Sequence, residues 1–167
     1  PCIILKETLM IHGYTEFTFG MRTSNEVVHQ GCWYQFFWPI EELKENKDFI
    51  FRAFPVKHYD VPTIGMRIYN KHTEKTLAYS CDTMPFPGLI DLARDADVLI
   101  HEATGYDGLG HSSARQAGEI AQEAGAKSLY LIHYAVWNAD PEPLVDEARE
   151  TFDGPVHLCK DFDELEF

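Results

Sequence analysis

From Phe49 onward, short apolar runs of strand length alternate with helix-patterned segments, and several of the runs stop at a histidine or an acidic residue. That alternation constrains the fold most, because an amphipathic helix between buried strands must lay its apolar stripe back onto a sheet. Phe49–Lys57, Ile64–Tyr69 and Leu77–Ser80 are β-rich runs separated by turn-like segments. Leu89–Ala96 carries Leu89, Leu92, Ala93 and Ala96 at helical spacing, and Val98–Ile100 reads as a buried strand running into His101. Ser113-Ala-Arg-Gln116 has capping-box spacing and opens a helix with Ala117, Ile120, Ala121 and Ala124 on one face, stopped by Gly125. Ser128–Ile132 is an apolar strand ending at His133. Pro141 stands near the start of a further helix with Leu144, Val145, Ala148 and Phe152 on one face and Gly154 at its exit, and Val156–Leu158 is the last strand.

Residues 1–48 carry less pattern. Leu9–His12 reads as a short strand, and the aromatic cluster in Gly31–Trp38 (Trp33, Tyr34, Phe36, Phe37, Trp38) as core. No repeat, low-complexity tract or Gly/Ser linker divides the chain, so one domain over residues 1–167 is expected. Neither a run of about 18 uninterrupted apolar residues nor a secretory-signal pattern occurs, which argues against membrane association and for the cytoplasm. Cys2, Cys32, Cys81 and Cys159 are scattered without C-x-x-C spacing and are expected to be reduced thiols. Acidic residues outnumber basic ones 27 to 14, for a formal charge of −13. Such a surface repels phosphate backbones, so a polyanionic substrate would need a local cationic centre such as a bound metal.

The polar residues at the run ends supply the candidates. His58 follows Phe49–Lys57, Asp82 follows Leu77–Ser80, His101 and Glu102 follow Val98–Ile100, and His133 follows Ser128–Ile132. Strand ends along one sheet edge are where α/β folds collect ligands and catalysts. Two imidazoles and a carboxylate suit zinc or a similar divalent ion, and the carboxylate is able to bridge two ions. Spacing alone also fits histidines that merely hydrogen-bond at strand ends and an Asp82 that caps a turn.

Ala78-Tyr-Ser-Cys-Asp-Thr83, Asp95-Ala-Asp-Val-Leu-Ile-His-Glu-Ala-Thr104, Gly110-His-Ser-Ser113 and Leu129-Tyr-Leu-Ile-His133 together resemble the C-terminal half of ribonuclease Z-like hydrolases of the metallo-β-lactamase fold. Pro55-Val-Lys-His58 and Gly65-Met-Arg-Ile68 match the segment upstream, so the likeness covers residues 49–135. It implies an α/β fold: the C-terminal half of a four-layer αββα sandwich, with a mixed sheet and flanking helices. It further implies a dinuclear zinc site (Mn2+ or Fe2+ being the alternatives) that cleaves phosphodiester or related ester bonds. On this resemblance His58 is a ligand of the first ion, Asp82 the bridging carboxylate and His133 a ligand of the second. His111 is the residue that protonates the leaving oxygen, with Glu102 as its partner. His111 precedes a helix, where the macrodipole works against positive charge, so a carboxylate beside it is expected.

The departures are as informative. Cys81 stands where the family has Gly before the bridging Asp, and strand alternation should turn it away from Asp82 into packing. The stretch from His58 to Asp82 leaves no room for the protruding arm by which tRNA-processing members hold tRNA. With the −13 charge, that makes tRNA a doubtful partner and favours a small phosphoester or ester substrate. Small-molecule hydrolysis of an aryl sulfate, phosphonate or lactam-like compound is the alternative within the fold, and a non-catalytic paralogue that uses the fold for protein contacts is the alternative outside enzymology. The family's His-x-His-x-Asp-His signature is absent from the chain, and Pro1-Cys2 resembles sequence just downstream of it. The chain is therefore expected to be an incomplete fragment, inactive alone, and to expose an apolar sheet face or cover it by homodimerisation.

Overall fold

The computed structural model describes residues 44–105, 110–135 and 140–167. The expected strand Leu9–His12 and the aromatic cluster of Gly31–Trp38 lie outside them. Among the described residues, seven strands form one sheet whose spatial order equals their chain order: β1 (Lys44–Glu45), β2 (Phe49–His58), β3 (Val61–Asn70), β4 (Lys75–Tyr79), β5 (Val98–Glu102), β6 (Leu129–Ile132) and β7 (Val156–Leu158). The sheet is mixed. Pairs β1–β2, β2–β3 and β3–β4 are antiparallel, and β4–β5, β5–β6 and β6–β7 are parallel.

Each parallel step needs a crossover, and three helices supply them: α1 (Gly88–Ala93), α2 (Ala114–Ala124) and α3 (Pro143–Arg149). All pack on one face. Leu89 and Leu92 of α1, Ala117 and Ile120 of α2, and Val145 and Ala148 of α3 meet Val56, Ala78, Leu99, Leu129, Leu131 and Val156 in one core cluster. The alternate strand residues Phe51, Ile68, Leu77, Val98, Ile100 and Ile132 form a second cluster with Cys159 on the opposite face. Every residue of β5 is buried, as a parallel strand covered on both faces requires.

On the second face the seven clustered residues are each at most 9% exposed, and the exposed large hydrophobic residues among those described are Tyr59, Val61 and Phe162. Leu165 and Phe167 of the C-terminal segment pack onto this face and help to cover it. No helix among the described residues is long and apolar enough to cross a membrane.

Element boundaries follow local chemistry. The capping box at α2 is complete: Ser113 Oγ accepts the Gln116 amide at 3.2 Å and Gln116 Oε1 accepts the Ser113 amide at 2.9 Å. The helix stops at Gly125, whose φ of 70° only glycine adopts without strain. Helix α1 ends at Ala93, short of the expected Ala96, because Arg94 leaves helical geometry and Asp95 turns left-handed at φ 51°. Helix α3 begins with Pro143, two residues after Pro141, and is over before Phe152, which is nonetheless buried in the helix-side core. Strands β2 and β3 pair over ten residues each, longer than their apolar runs.

Candidate functional site

The end of β2, the β4–α1 loop, the end of β5, the turn into α2 and the turn after β6 meet at one edge of the sheet. Thr83 ties several of them together. Its Oγ1 accepts from the Lys57 amide at 3.1 Å, its amide donates to Glu102 Oε1 at 2.7 Å, and its carbonyl accepts from Ser112 Oγ at 2.7 Å. The Met84 amide closes onto the Lys57 carbonyl at 2.7 Å. Ser80, Thr83 and Ser112 are fully buried, so water does not compete for these bonds, and they fix Asp82 relative to His58.

Glu102 is the acceptor at the centre. It is the last residue of β5 rather than the first beyond it, and its side chain is fully buried. Besides the Thr83 amide, its carboxylate accepts His111 Nδ1 at 2.9 Å, Thr104 Oγ1 at 2.6 Å and the Thr104 amide at 3.3 Å. Burial by itself raises a carboxyl. Here the His133 imidazole, the Thr104 hydroxyl, the Thr83 amide and the His111 ring overcome it and hold the group down to about 2. The same carboxylate raises His133 above its ordinary imidazole value against the lowering effect of burial, and Asp82 adds to the rise.

All five residues named from the sequence, His58, Asp82, Glu102, His111 and His133, come together. One donor atom each from His58, Asp82 and His111 lies within 4.8 Å of the others, and the same holds for Glu102, His111 and His133. Asp82 Oδ1 is 3.3 Å from His133 Nδ1. The His58 and His111 ring centroids are 4.7 Å apart and those of His111 and His133 5.3 Å. His111 thus belongs to both donor groups.

The hydrogen bonds settle which ring nitrogens are available. His58 Nδ1 meets the Gly110 carbonyl at 3.0 Å, and a carbonyl only accepts, so that nitrogen carries the proton. His111 Nδ1 donates to the ionised Glu102. The single Thr104 hydroxyl proton goes to Glu102 Oε2, its shortest contact, which leaves Thr104 Oγ1 to accept from His133 Nδ1 at 3.0 Å. His58 and His111 therefore commit Nδ1 to acceptors behind them, His133 Nδ1 lies between Thr104 Oγ1 and Asp82 Oδ1, and no hydrogen bond is made to any of the three Nε2 atoms among the described residues. Acceptors that fix the tautomer and orient the ring in this way are what a metal-binding histidine needs. With Asp82 beside them, the donor set fits a divalent ion of the zinc type.

Three of the six described non-glycine residues with positive φ lie here: Tyr59 beside His58, Cys81 beside Asp82 and His133 itself, at φ of 50°, 55° and 52°, a region that non-glycine residues seldom occupy. Cys81 packs against the helix-side core as expected, though for a different reason: β4 ends at Tyr79, so the left-handed backbone and not strand alternation sets its direction. Burial pushes its thiol up to about 11. His101 does not join the site: its ring is fully buried, with Nδ1 on the Glu102 carbonyl at 2.8 Å. Thr83, Thr104, Ser112 and Tyr59 were not singled out from the sequence. Thr104 does close the quoted His-Glu-Ala-Thr element, and Thr83 follows Asp82, so adjacency was the available signal.

Comparison with known proteins places this arrangement. Residues 33–134 match the family model described as "Beta-lactamase superfamily domain". The chain is similar to Ribonuclease Z of Thermoplasma volcanium, 36% identical over 120 residues that cover 68% of this chain and 38% of that protein. It is similar also to Ribonuclease Z of Halorubrum lacusprofundi, 41% identical over 100 residues, or 55% of this chain and 32% of that one. The matched part is thus well under half the length of either relative. Among solved structures, the metallo-β-lactamase fold protein YhfI from Bacillus subtilis superposes with a TM-score of 0.66 at 28% identity, over 74% of this chain and 52% of that chain. Human short-form tRNase Z gives a TM-score of 0.53 at 26% identity, over 72% and 44%.

Proposed function

Since this chain belongs to the beta-lactamase superfamily and has the metallo-β-lactamase fold, we propose that it carries the C-terminal part of the active site of a ribonuclease Z-like hydrolase that cleaves phosphodiester or related ester bonds. In this reading His58 and Asp82 would hold one zinc ion, and Asp82 and His133 a second. Two such ions would supply hydroxide at neutral pH and neutralise charge on the attacking and leaving oxygens of an in-line displacement. His111 protonates the leaving oxygen from Nε2, and Glu102 holds the ring through Nδ1 and balances the proton it carries. Thr104 couples Glu102 to His133, so that a proton gained at one ring is felt at the other.

The observation that carries this reading is the convergence of three imidazoles on the Asp82 carboxylate, each with Nδ1 held by an acceptor and Nε2 left without a hydrogen bond among the described residues. The substrate is a small phosphoester rather than tRNA. Between His58 and Asp82 the chain is spent on β3, β4 and short turns, leaving nothing to grip an RNA, and the formal charge of −13 repels one. His58, Asp82 and His133 give each ion two protein ligands, one fewer than the three that a catalytic zinc usually keeps, so these residues alone do not complete the site.

The experiment has two parts. Equilibrium dialysis of the 167-residue chain against zinc measures binding, which is expected to be lost in Asp82→Asn, while turnover by this chain alone is expected to be negligible. The protein encoded by the whole reading frame is then offered bis-p-nitrophenyl phosphate, an aryl sulfate, nitrocefin and a pre-tRNA, with and without a chelator. Chelator-sensitive cleavage of the phosphodiester supports the proposal, and faster cleavage of the sulfate or the lactam moves the assignment to a small-molecule hydrolase of the same fold. Zinc retained by Asp82→Asn would overturn the ligand set.

A further inference from the structure

We infer that Tyr59 is the wall on which an aromatic group of the substrate, a nucleobase next to the scissile phosphate, stacks. The inference rests on the phosphoester reading above and adds a specificity residue to it. Strand β2 ends at His58 and β3 begins at Val61, so Tyr59 and Asp60 form a two-residue turn. Tyr59 has φ 50°. The first position of so tight a turn, when it takes positive φ, favours glycine, and a tyrosine there is held against its own backbone preference.

Its ring is nevertheless seated. The centroid lies 4.8 Å from that of His58 and 5.6 Å from that of His111, at steep angles of 68° and 78°. Gly110, whose carbonyl orients His58, lies directly against it: a Cβ at Gly110 would come within 2.7 Å of the Tyr59 Cδ2 atom. Tyr59, His58 and Gly110 thus form one unit beside the His111 imidazole. Even so, Tyr59 is 59% exposed, one of three large hydrophobic residues so exposed among those described. A strained turn that keeps an aromatic ring fixed and bare beside two imidazoles has no evident folding purpose.

The chemistry that fits such a ring is a flat, uncharged partner. Every nucleobase has a π-face and stacks on an aromatic side chain without sequence preference. A chain of formal charge −13 cannot hold a nucleotide by a generally cationic surface, so affinity beyond the metal has to come from an uncharged contact of this kind. The ring selects for a base or aryl group, and not for which base.

The test is isothermal titration of the zinc-loaded chain with adenosine 5′-monophosphate and with methyl β-D-ribofuranoside 5-phosphate, which differ only in the base. The nucleotide is expected to bind about tenfold more tightly. Tyr59→Phe keeps the preference. Tyr59→Gly, which relieves the turn, lowers nucleotide affinity to that of the base-free phosphate while thermal unfolding stays at or above the native temperature. Equal affinities in the unaltered chain, or a preference that survives Tyr59→Gly, overturn the inference and leave the phosphoester reading standing. If zinc binds and neither phosphate does, the phosphoester reading fails and takes this inference with it.

Discussion

Two ionisable side chains on consecutive positions of β5 are equally buried and behave in opposite ways. Glu102 stays charged because donors surround its carboxylate. His101, whose Nε2 is the buried side-chain polar atom left without a hydrogen bond among the described residues, is lowered by desolvation, which outweighs its bond to the Glu102 carbonyl. Burial favours its neutral form in the folded chain, and that has a definite sign. Above about pH 6.5 both folded and unfolded chains carry His101 uncharged and nothing is lost. Below it the unfolded chain takes up a proton that the folded chain refuses, so stability falls by up to about 1.4 kcal/mol per pH unit from this group alone. His101→Leu removes the group, so the unfolding free energy of the variant is expected to gain on that of the native chain as pH falls from 7.5 to 5.5. Urea titrations at the two pH values measure the change. A difference between the two proteins that does not move with pH would show that the buried ring takes up a proton in the folded state.

At the scale of elements, α2 does two jobs that meet at its first turn. Its capping box fixes where the helix begins, and His111 stands two residues before the cap, tied down through Ser112 to the Thr83 carbonyl. Ser113→Ala is therefore expected to cost about 1 kcal/mol in urea unfolding, and to broaden or shift the His111 ring resonances in NMR spectra. A stability loss below about 0.3 kcal/mol would place the start of the helix under the control of packing instead. This element was legible in the sequence because a capping box and a glycine stop are local rules, and the structure keeps both. The parallel strands were legible for a related reason: burial on both faces makes them continuous apolar runs. Three features were not. The turn-like segment after Lys57 contains neither glycine nor asparagine, so nothing in it showed that the turn is only Tyr59 and Asp60 and that Val61–Thr63 pair with Val56–His58 across it. Helix α1 continues its apolar spacing into Ala96, which is buried by packing after the helix has ended. The two-residue strand β1 is too short to show a period. In the site, the five ionisable residues stood out as polar endings of apolar runs or in quoted motifs. Thr83 and Thr104 did not, because a threonine that matters through its hydrogen bonds has no spacing to announce it.

For the whole molecule, topology decides why these residues share an edge. Strands β4, β5 and β6 are parallel, so their carboxyl ends lie together. Two antiparallel reversals, β2 to β3 and β3 to β4, point β2 the same way as β4, which brings His58 to that edge too. A single sheet therefore collects donors from positions 58, 82, 102 and 133, and between positions 58 and 82 no described element is left over to reach across a large substrate. The charge works in the same direction. A protein of formal charge −13 repels RNA most at low ionic strength, where the Debye length is about 30 Å at 0.01 M, and less at 0.15 M, where it is about 8 Å. The zinc-loaded chain is accordingly expected to bind a non-cleavable single-stranded RNA no more tightly at 10 mM salt than at 150 mM, as read by fluorescence anisotropy. A protein that grips phosphates with lysine and arginine shows the reverse, losing affinity steeply as salt releases its advantage in displaced counterions. A steep fall in affinity with salt would reveal a cationic surface on this chain, and would return RNA to the place that a small phosphoester occupies in the present reading.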